Sequence, residues 1–212
     1  MENRLSDRDF FLREDVVQIS KDLLGMHLVT YFDGIRTIGR IVEVEAYRGP
    51  DDKACHAYNN RRTPRTEVMY QQGGTAYIYF CYGIHHLFNI VTAPAEKAHA
   101  VLIRALEPVE NIETMLARRG MERLQPRLTA GPGALSQALG IKTDWSGIDL
   151  LHPDSPIWLE KPEQFAHEAI AASPRIGVES AGFAATWPWR FFYQNNRWVT
   201  KSPFNKQGVN IF

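Results

Sequence analysis

The apolar positions near the start of the chain follow a helical spacing and then change to a strand spacing. Residues 15–25 place their aliphatic side chains on one stripe and end at Gly25, which predicts a short helix with a left-handed stop. Residues 26–32 and 35–47 are instead rich in β-branched and aromatic side chains. Because Asp33-Gly34 between them is a strong two-residue turn signal, the sequence predicts a β-hairpin there.

A second β-rich region follows, and helices and strands then succeed each other without a regular order. The predicted strands cover residues 75–82, 86–92 and 98–106, the predicted helices 109–119 and 133–139, and a last predicted hairpin 190–193 and 197–200. Strands outnumber helices and show no βαβ rhythm. The predicted class is therefore α+β, with a curved, mostly antiparallel sheet, a protruding β-hairpin and flanking helices.

Composition is that of an ordinary globular protein. The chain has 212 residues, 44% of them hydrophobic and 23% charged, which suffices for a substantial core without covalent staples. The only two cysteines, Cys55 and Cys81, do not make a disulfide framework. We predict a single domain over residues 1–212, with the first dozen residues and the segment 142–172 as candidate flexible regions.

No apolar run is long enough to span a bilayer, and the N-terminus is charged where a signal peptide needs an apolar segment. The sequence therefore predicts a cytoplasmic protein. The 24 basic and 24 acidic residues give a net charge of +0, without the overall basic excess of a DNA-coating protein. Charge is nevertheless segregated: residues 173–212 hold five basic residues and one acid, and residues 142–172 hold six acids and two lysines. One face of the molecule is therefore expected to be basic.

Two carboxylates and a phenol share one face of the second predicted strand. Because side chains alternate across a strand, Glu43, Glu45 and Tyr47 lie on one face and the residues between them on the other. By itself this alternation is most typical of a solvated sheet face. In an aromatic-lined cavity, by contrast, the pKa of a carboxyl rises toward the range that suits a general base.

Tyrosines in the next β region supply such a lining. Tyr77 and Tyr79 fall on one face of the predicted strand, although most tyrosines in strands simply pack. Tyr82 differs, because it precedes Gly83 at the predicted hairpin end, where little core is left to join. A protruding aromatic at a tip is a candidate wedge between bases.

Residues 56–65 form a polar loop with three arginines and no acid, a composition that can hold phosphates but is also common in solvated loops. The nearby histidines and cysteines lack the spacing of metal ligands, so we predict no metal. Nucleotide-binding glycine motifs and a serine nucleophile elbow are missing, and no lysine lies beside the strand motifs to form a Schiff base. We predict no cofactor.

Several separate segments, in order, resemble the alkyladenine (3-methyladenine) DNA glycosylase family. They are Ile41 to Tyr47, the His56 loop with Arg61 to Arg65, Tyr77 to Gly83, Asn89-Ile90, Leu102 to Pro108, Gly131 to Leu135, Pro174 to Val178 and Pro188 to Phe192. Together they cover nearly the whole chain, and ordered segments are far more specific than one motif. The resemblance implies a compact domain with an antiparallel sheet whose hairpin enters the DNA minor groove.

The resemblance also implies roles for the matching residues. Catalysis would rest on Glu45, which activates water, with Arg104 and the main-chain carbonyl of Ile176 helping to hold that water. The base pocket would be formed by Tyr47, His56 and Tyr79, which stack on the base, by Leu102, and by Asn89, which would clash with a guanine amino group. The DNA contacts would be Tyr82, which fills the gap in the duplex, and Arg61, Thr63, Arg65 and Met69.

Physical reasoning supports the implied chemistry. A base inside a duplex cannot reach a catalytic carboxylate, so the nucleotide must be flipped out, at a cost of about a few kcal/mol that damage reduces. With no amine nucleophile in the motifs, we predict a monofunctional glycosylase that hydrolyses the N-glycosidic bond of alkylated or deaminated purines, of the 3-methyladenine and hypoxanthine type. It would leave an abasic site.

The predicted partner is double-stranded DNA with damaged purines. We predict a monomer without membrane contact or an obligatory protein partner, associated with the nucleoid if the source is bacterial.

Three alternatives stay open. A non-catalytic nucleic-acid-binding module would use the same arginines and tyrosines and would be indifferent to Glu45→Gln. A carbohydrate hydrolase would use Glu43 and Glu45 as acid and base, but both would lie on one side of the sugar, about 7 Å apart. A purely structural domain would leave the basic loop and Tyr82 without a role. The residues alone favour neither glutamate as the base, and only the resemblance separates them.

Overall fold

The computed structural model describes residues 3–165, 167–206 and 208–210. The helices are α1 (Asp9–Leu12), α2 (Val16–Leu23), α3 (Ile112–Arg119) and α4 (Pro132–Leu139). The strands are β1 (His27–Phe32), β2 (Ile35–Arg48), β3 (Ala76–Cys81), β4 (His85–Thr92), β5 (His99–Glu110), β6 (Ile157–Glu160), β7 (Ile170–Ser173), β8 (Arg190–Tyr193) and β9 (Val209–Asn210). Short 3₁₀ turns lie between them, among them Tyr58–Asn60, Glu67–Tyr70 and Glu179–Thr186. None of the helices in these described residues is long and apolar enough to cross a membrane.

The strands of the described residues form one antiparallel sheet in the order β3-β4-β5-β2-β8-β7-β9, with β1 paired to β2 and to β6. Strand β2 is the axis of this sheet because its 14 residues pair with β5 along one edge and with β1 and then β8 along the other. Its pairing with β5 shifts register near Ile38, Ile41 and Glu43, and such bulges bend a strand. The predicted α+β class with a mostly antiparallel sheet is confirmed.

Local sequence signals explain the first elements. Asp15 caps α2, since its carboxylate accepts a hydrogen bond from the backbone N–H of Gln18 at 2.9 Å. Asp33 and Gly34 both have positive φ, 54° and 77°, which is the backbone of a tight hairpin turn. The predicted first helix and first hairpin are thus confirmed.

The core lies between the helices and one face of the sheet. Val42, Val44 and Ala46 point from β2 into the main hydrophobic cluster, where α2, α3 and α4 also bury their apolar sides. A smaller cluster around Met69 and Tyr77 lies on the other side of the sheet. Both faces of β2 are therefore covered, and this determines how the site is built.

The predicted C-terminal hairpin is wrong. Residues 197–200 form no strand, and β8 pairs with β2 and β7 instead. The backbone N–H of Thr200 donates to Oε2 of Glu43 at 2.7 Å. Because an unpaired buried charge is costly, this amide binds the Glu43 carboxylate and does not pair with a neighbouring strand.

The segment 142–172, a candidate for flexibility, contributes β6 to the sheet, and three of its acids pair with arginines: Asp149 with Arg8, Glu160 with Arg36 and Glu168 with Arg40. The N-terminal residues also pack, with Leu5 and Phe11 in the core.

The expected basic face at residues 173–212 needs correction, because Arg175 and Arg190 are buried. Their charge is neutralised inside the protein by Asp52 and Glu43, so it does not contribute to a basic surface.

Candidate active site

A cavity of about 260 Å³ lies on the face of the sheet opposite the main core. The β3–β4 hairpin, the ends of β2 and β5, the loop 54–69 and the loop 176–178 enclose it. Its wall is aromatic on one side, with Tyr47, His56, Tyr77 and Tyr79, and polar at the back, with Asn89 and Arg104.

Strand register brings these distant residues together. Glu45 on β2 lies opposite Leu102 on β5, Leu102 lies opposite Asn89 on β4, and Asn89 lies opposite Tyr77 on β3. Residues that are directly opposite each other in a sheet point to the same face. One row across four strands therefore delivers four of the side chains of the site.

Glu45 lies immediately behind the cavity wall and is fully buried. Its Oε1 accepts a hydrogen bond from the backbone N–H of Ile176 at 2.8 Å. Its Oε2 accepts one from the Tyr47 hydroxyl at 2.7 Å and lies 3.2 Å from Nη1 of Arg104. All three donors come from residues that line the cavity, so the carboxylate is held rigidly at its back. The Ile176 amide thus binds Glu45 directly, and the role of its carbonyl in holding the water, which the resemblance implies, stays a prediction.

Glu43 is equally buried but differently held. Its Oε1 accepts hydrogen bonds from Nε of Arg190 at 2.6 Å and from Nε of Arg104 at 3.1 Å. Its Oε2 accepts one from the Thr200 amide. Burial tends to raise the pKa of Glu43, but the two guanidinium groups and the Thr200 donor outweigh it and lower the pKa below the usual carboxyl value. Glu43 is therefore the counter-ion of two buried guanidinium groups.

The interpretation of residues 43–47 as a solvated face is wrong, since both carboxylates are 0% exposed. The alternative in which Glu43 and Glu45 act as an acid and base pair also loses support, because Glu43 contacts two guanidinium groups, which favour its ionised form.

Tyr47 connects Glu45 to a second buried ion pair. Burial and the neighbouring Glu45 carboxylate raise the pKa of Tyr47 well above its usual value, so its hydroxyl stays protonated and donates. The guanidinium of Arg175 lies 4.7 Å from the centre of the Tyr47 ring and makes two bonds of 2.5 and 2.8 Å to Asp52. Trp189 contacts the same guanidinium, at 5.4 Å. The ring of Tyr47 is thus supported from behind.

Three aromatic rings pack against each other in the cavity. His56 and Tyr79 meet edge to face at 4.7 Å, and Tyr77 lies 5.5 Å from Tyr79. Nδ1 of His56 is 2.9 Å from the Tyr77 hydroxyl. Burial, with smaller contributions from Arg65 and Arg61, lowers the pKa of His56 to about 4, so the imidazole is neutral at pH 7. A neutral ring accepts or donates one hydrogen bond without adding charge to the cavity.

Asn89 is fixed at the back of the cavity. Its Nδ2 donates to the carbonyls of Tyr77 at 3.0 Å and Leu87 at 3.2 Å, so the amide cannot rotate freely. Leu102, beside it, is buried and lines the same cavity. Both predicted pocket residues therefore line the same cavity.

Tyr82 lies at the tip of the β3–β4 hairpin with its side chain 90% exposed. Tyr82 and Gly83 both have positive φ, 52° and 71°, and this tight turn projects the ring from the sheet at the mouth of the cavity. Such exposure of a large aromatic is unusual unless the ring has a partner.

The remaining predicted DNA contacts divide into two groups. Arg61, Thr63 and Arg65 line a neighbouring groove of about 430 Å³. The Arg65 guanidinium also lies 4.7 Å from the ring centre of Tyr79, at the edge of the cavity. Met69, predicted to contact DNA, is 2% exposed and belongs to the wall of the cavity.

A larger cavity of about 650 Å³ lies between the hairpin and α4. Its two acids, Asp33 and Asp144, are both exposed. It therefore lacks a shielded carboxylate and we do not assign the chemistry to it.

Sequence reasoning missed Arg175, Arg190 and Phe183. An arginine inside an aromatic strand segment, as Arg190 is, signals a buried partner, and that signal was available. Phe183 is 81% exposed and follows Gly182, whose φ and ψ of 61° and −130° are open only to glycine. No helix or strand pattern indicated that this side chain would project.

Comparison with known proteins identifies the family of this chain. The profile of the methylpurine-DNA glycosylase family matches residues 9–197. A protein of Chlamydia pneumoniae is 49% identical over 183 residues, 86% of this chain and 91% of its own length. One from Bacillus cereus (strain ATCC 10987 / NRS 248) is 46% identical over 198 residues, 90% of this chain and 97% of its own. Both carry provisional names as 3-methyladenine DNA glycosylases. By this profile and these relatives, the chain belongs to the methylpurine-DNA glycosylase family.

Proposed function

We propose that this protein is a monofunctional DNA glycosylase that flips alkylated or deaminated purines out of duplex DNA and hydrolyses their N-glycosidic bond. The observation that carries the proposal is the placement of Glu45. It is a fully buried carboxylate directly behind an aromatic cavity, held by Tyr47, Arg104 and the Ile176 amide. A positioned, water-shielded base is what hydrolysis of a glycosidic bond requires.

The cavity suits a purine base. Tyr47, His56 and Tyr79 offer ring faces and edges, and stacking of a base on an aromatic side chain contributes about 1–3 kcal/mol whatever the base. A pocket that depends on stacking accepts several damaged purines. Asn89 would exclude a guanine amino group at the back of the pocket, which favours adenine-type lesions such as 3-methyladenine and hypoxanthine.

Bond cleavage places positive charge on the sugar. Glu45 would stabilise this oxocarbenium-like state and take a proton from the water that attacks the sugar carbon, while the base leaves. Arg104 would bind the water and keep it next to the Glu45 carboxylate. No lysine lines the cavity among the described residues, so no Schiff base with the sugar is expected, and the product is an abasic site in an intact strand.

Extrusion would depend on the hairpin and the adjacent groove. Tyr82 would enter the minor groove and occupy the space that the flipped nucleotide leaves. Arg61, Thr63 and Arg65 would bind the phosphates beside the lesion. We propose a single domain that binds duplex DNA as a monomer.

The experiment is single-turnover base release from a duplex that carries one hypoxanthine or one 3-methyladenine. Glu45→Gln should slow release by about 10²- to 10⁴-fold, the usual contribution of a general base, while affinity for the lesion duplex is retained. Glu107→Gln, which removes a surface carboxylate on β5, serves as the matched control and should keep the wild-type rate.

Failure of the wild-type protein to release any base, with binding retained, would favour a non-catalytic nucleic-acid-binding module instead. A covalent protein–DNA adduct trapped by borohydride would contradict the monofunctional assignment.

A further inference from the structure

We propose that Glu43 is a positioning residue that orients Arg104 and, through it, the Glu45 carboxylate. This inference rests on the proposed role of Glu45 as the base. Of the hydrogen-bond partners of Glu43, Arg104 lines the cavity, whereas Arg190 and Thr200 do not. The effect of Glu43 on the reaction must therefore pass through Arg104.

The Arg104 guanidinium contacts both glutamates through different nitrogens. Its Nε lies 3.1 Å from Oε1 of Glu43, and its Nη1 lies 3.2 Å from Oε2 of Glu45. A guanidinium is planar and rigid, so a bond at Nε sets the direction of both terminal nitrogens. The Glu43 contact thus decides which edge of Arg104 faces Glu45 and the cavity.

Glu43 is itself held by elements that do not reach the cavity. Arg190 of β8 donates to it at 2.6 Å, and that guanidinium also contacts Ser173 Oγ at 3.0 Å and Asn205 Oδ1 at 2.8 Å. The Thr200 amide holds the second oxygen. Arg190 and the Thr200 amide therefore hold Glu43 directly, and Arg190 keeps its contact with Asn205 when Ser173 is replaced, so Glu43 is a fixed support for Arg104.

Charge balance gives the same result. Two carboxylates, Glu43 and Glu45, face two guanidinium groups, Arg104 and Arg190, and all four side chains are shielded from solvent. Without the charge of Glu43, Arg104 retains one carboxylate partner, Glu45. A bidentate pair would then form and occupy the oxygens that the attacking water needs.

The test compares Glu43→Gln with Ser173→Ala. Both substitutions alter hydrogen bonds in the same buried cluster. Ser173→Ala, however, removes only an acceptor of Arg190 and leaves the contact between Glu43 and Arg104 in place. We expect Glu43→Gln to lower the single-turnover rate on a hypoxanthine duplex by about 100-fold, the effect of misplacing a reacting group by about 1 Å. Affinity for a duplex with the 2′-fluoro analogue, whose glycosidic bond resists hydrolysis, should not change. Ser173→Ala should keep both the rate and the affinity.

Crystal structures of both variants supply a readout that does not depend on activity. In Glu43→Gln the Arg104 guanidinium should leave its wild-type position and pair with Glu45 alone, and in Ser173→Ala it should stay. If Glu43→Gln does not fold, Glu43→Asp keeps the charge but withdraws the carboxylate by one methylene, and the same loss of rate and movement of Arg104 are expected.

A folded Glu43 variant with the wild-type rate, or with Arg104 in its wild-type position, would overturn the proposal. Equal losses of rate in Glu43→Gln and Ser173→Ala would also overturn it, because the effect would then be general destabilisation. If the wild-type protein releases no base, the proposed function fails, and the position of Arg104 in the crystal structures alone decides the role of Glu43.

Discussion

Single residues in this site are supported chiefly by buried charge pairs. Arg175 and Asp52 are both 0% exposed, and Arg175 packs under the ring of Tyr47. The preceding residue, Asp51, forms an ion pair with Arg48 in which the side chains of Arg48 and Asp51 are 40% and 53% exposed. Adjacent aspartates thus make the same kind of contact in two different dielectric environments.

We therefore predict different costs for the same substitution at these two positions. Asp52→Asn leaves a buried guanidinium without its counter-ion and should lower the free energy of unfolding by about 3–5 kcal/mol. Asp51→Asn should change it by about 0–1 kcal/mol, because solvent already screens that pair. Urea denaturation of both variants measures the difference, and equal effects would mean that the Arg175 pair contributes no more than a surface pair.

His56 gives the stability of the protein a pH dependence. Its pKa is about 4 in the folded protein, whereas an unperturbed histidine has a pKa of about 6.5. Below pH 6.5 the unfolded chain takes up this proton first, so the contribution is complete above that pH and is lost as the pH falls toward 4. A difference of this size corresponds to about 3 kcal/mol as an upper value.

His56→Gln should accordingly lose less stability between pH 7.5 and pH 4.5 than the wild-type protein does, as urea denaturation at each pH would show. His152→Gln, at a histidine that is 61% exposed, is the control and should behave like wild type. Identical pH dependence in His56→Gln and wild type would contradict a buried neutral imidazole.

Among the secondary-structure elements, the β3–β4 hairpin has strands that stabilise the fold and an exposed tip with a proposed function. Most side chains of its two strands are buried, whereas the side chain of Tyr82 at the tip is almost fully exposed. Substitutions at exposed positions away from structural features change stability by about 0.5 kcal/mol or less. The tip can therefore be altered without unfolding the sheet.

Tyr82→Ser should slow base release from a paired lesion by about 5- to 150-fold, which corresponds to the 1–3 kcal/mol of a lost base contact. The loss should be smaller on single-stranded DNA, where no gap has to be filled. Tyr31→Ser, at an exposed tyrosine on β1, is the matched control. Unchanged rates on the paired lesion would exclude a wedge role for Tyr82.

The elements also show the reach and the limit of sequence patterns. The period of residues 35–47 predicted β2 and the shared face of Glu43, Glu45 and Tyr47, since alternation is a local property of a strand. The pattern could not show that this face is buried, because the covering residues come from the loop 54–69 and from the region after β7.

For the whole molecule, the absence of net charge means that DNA binding must rely on local cations. Arg61 is exposed in the groove beside the cavity, and within the described part of the chain it pairs with no carboxylate. Arg62 is also exposed, but Glu67 and Glu96 contact it at 2.7 and 2.6 Å. The charge of Arg62 is therefore neutralised by its neighbours, whereas that of Arg61 is available to a phosphate.

We expect Arg61→Ala to reduce the slope of log affinity against log salt concentration by about 1, the effect of one lost phosphate contact. Arg62→Ala should leave that slope unchanged. Fluorescence anisotropy with a lesion duplex over a range of salt concentrations measures both. Equal slopes for wild type and Arg61→Ala would place the phosphate contacts elsewhere.

The sequence by itself determined β1 to β5, the first helix and hairpin, the Tyr82-Gly83 turn and the family, because each depends on periodicity, turn chemistry or ordered motifs within short stretches. The tertiary structure alone showed that Glu43 and Glu45 are held by different groups, which is the difference on which the proposed role of Glu45 rests. The alternation along β2 treats Glu43 and Glu45 alike, and most of the difference in their surroundings comes from Arg190, Thr200 and Ile176, which lie more than a hundred residues away. Contacts of that range follow from strand order and loop packing, and these depend on the whole folded chain.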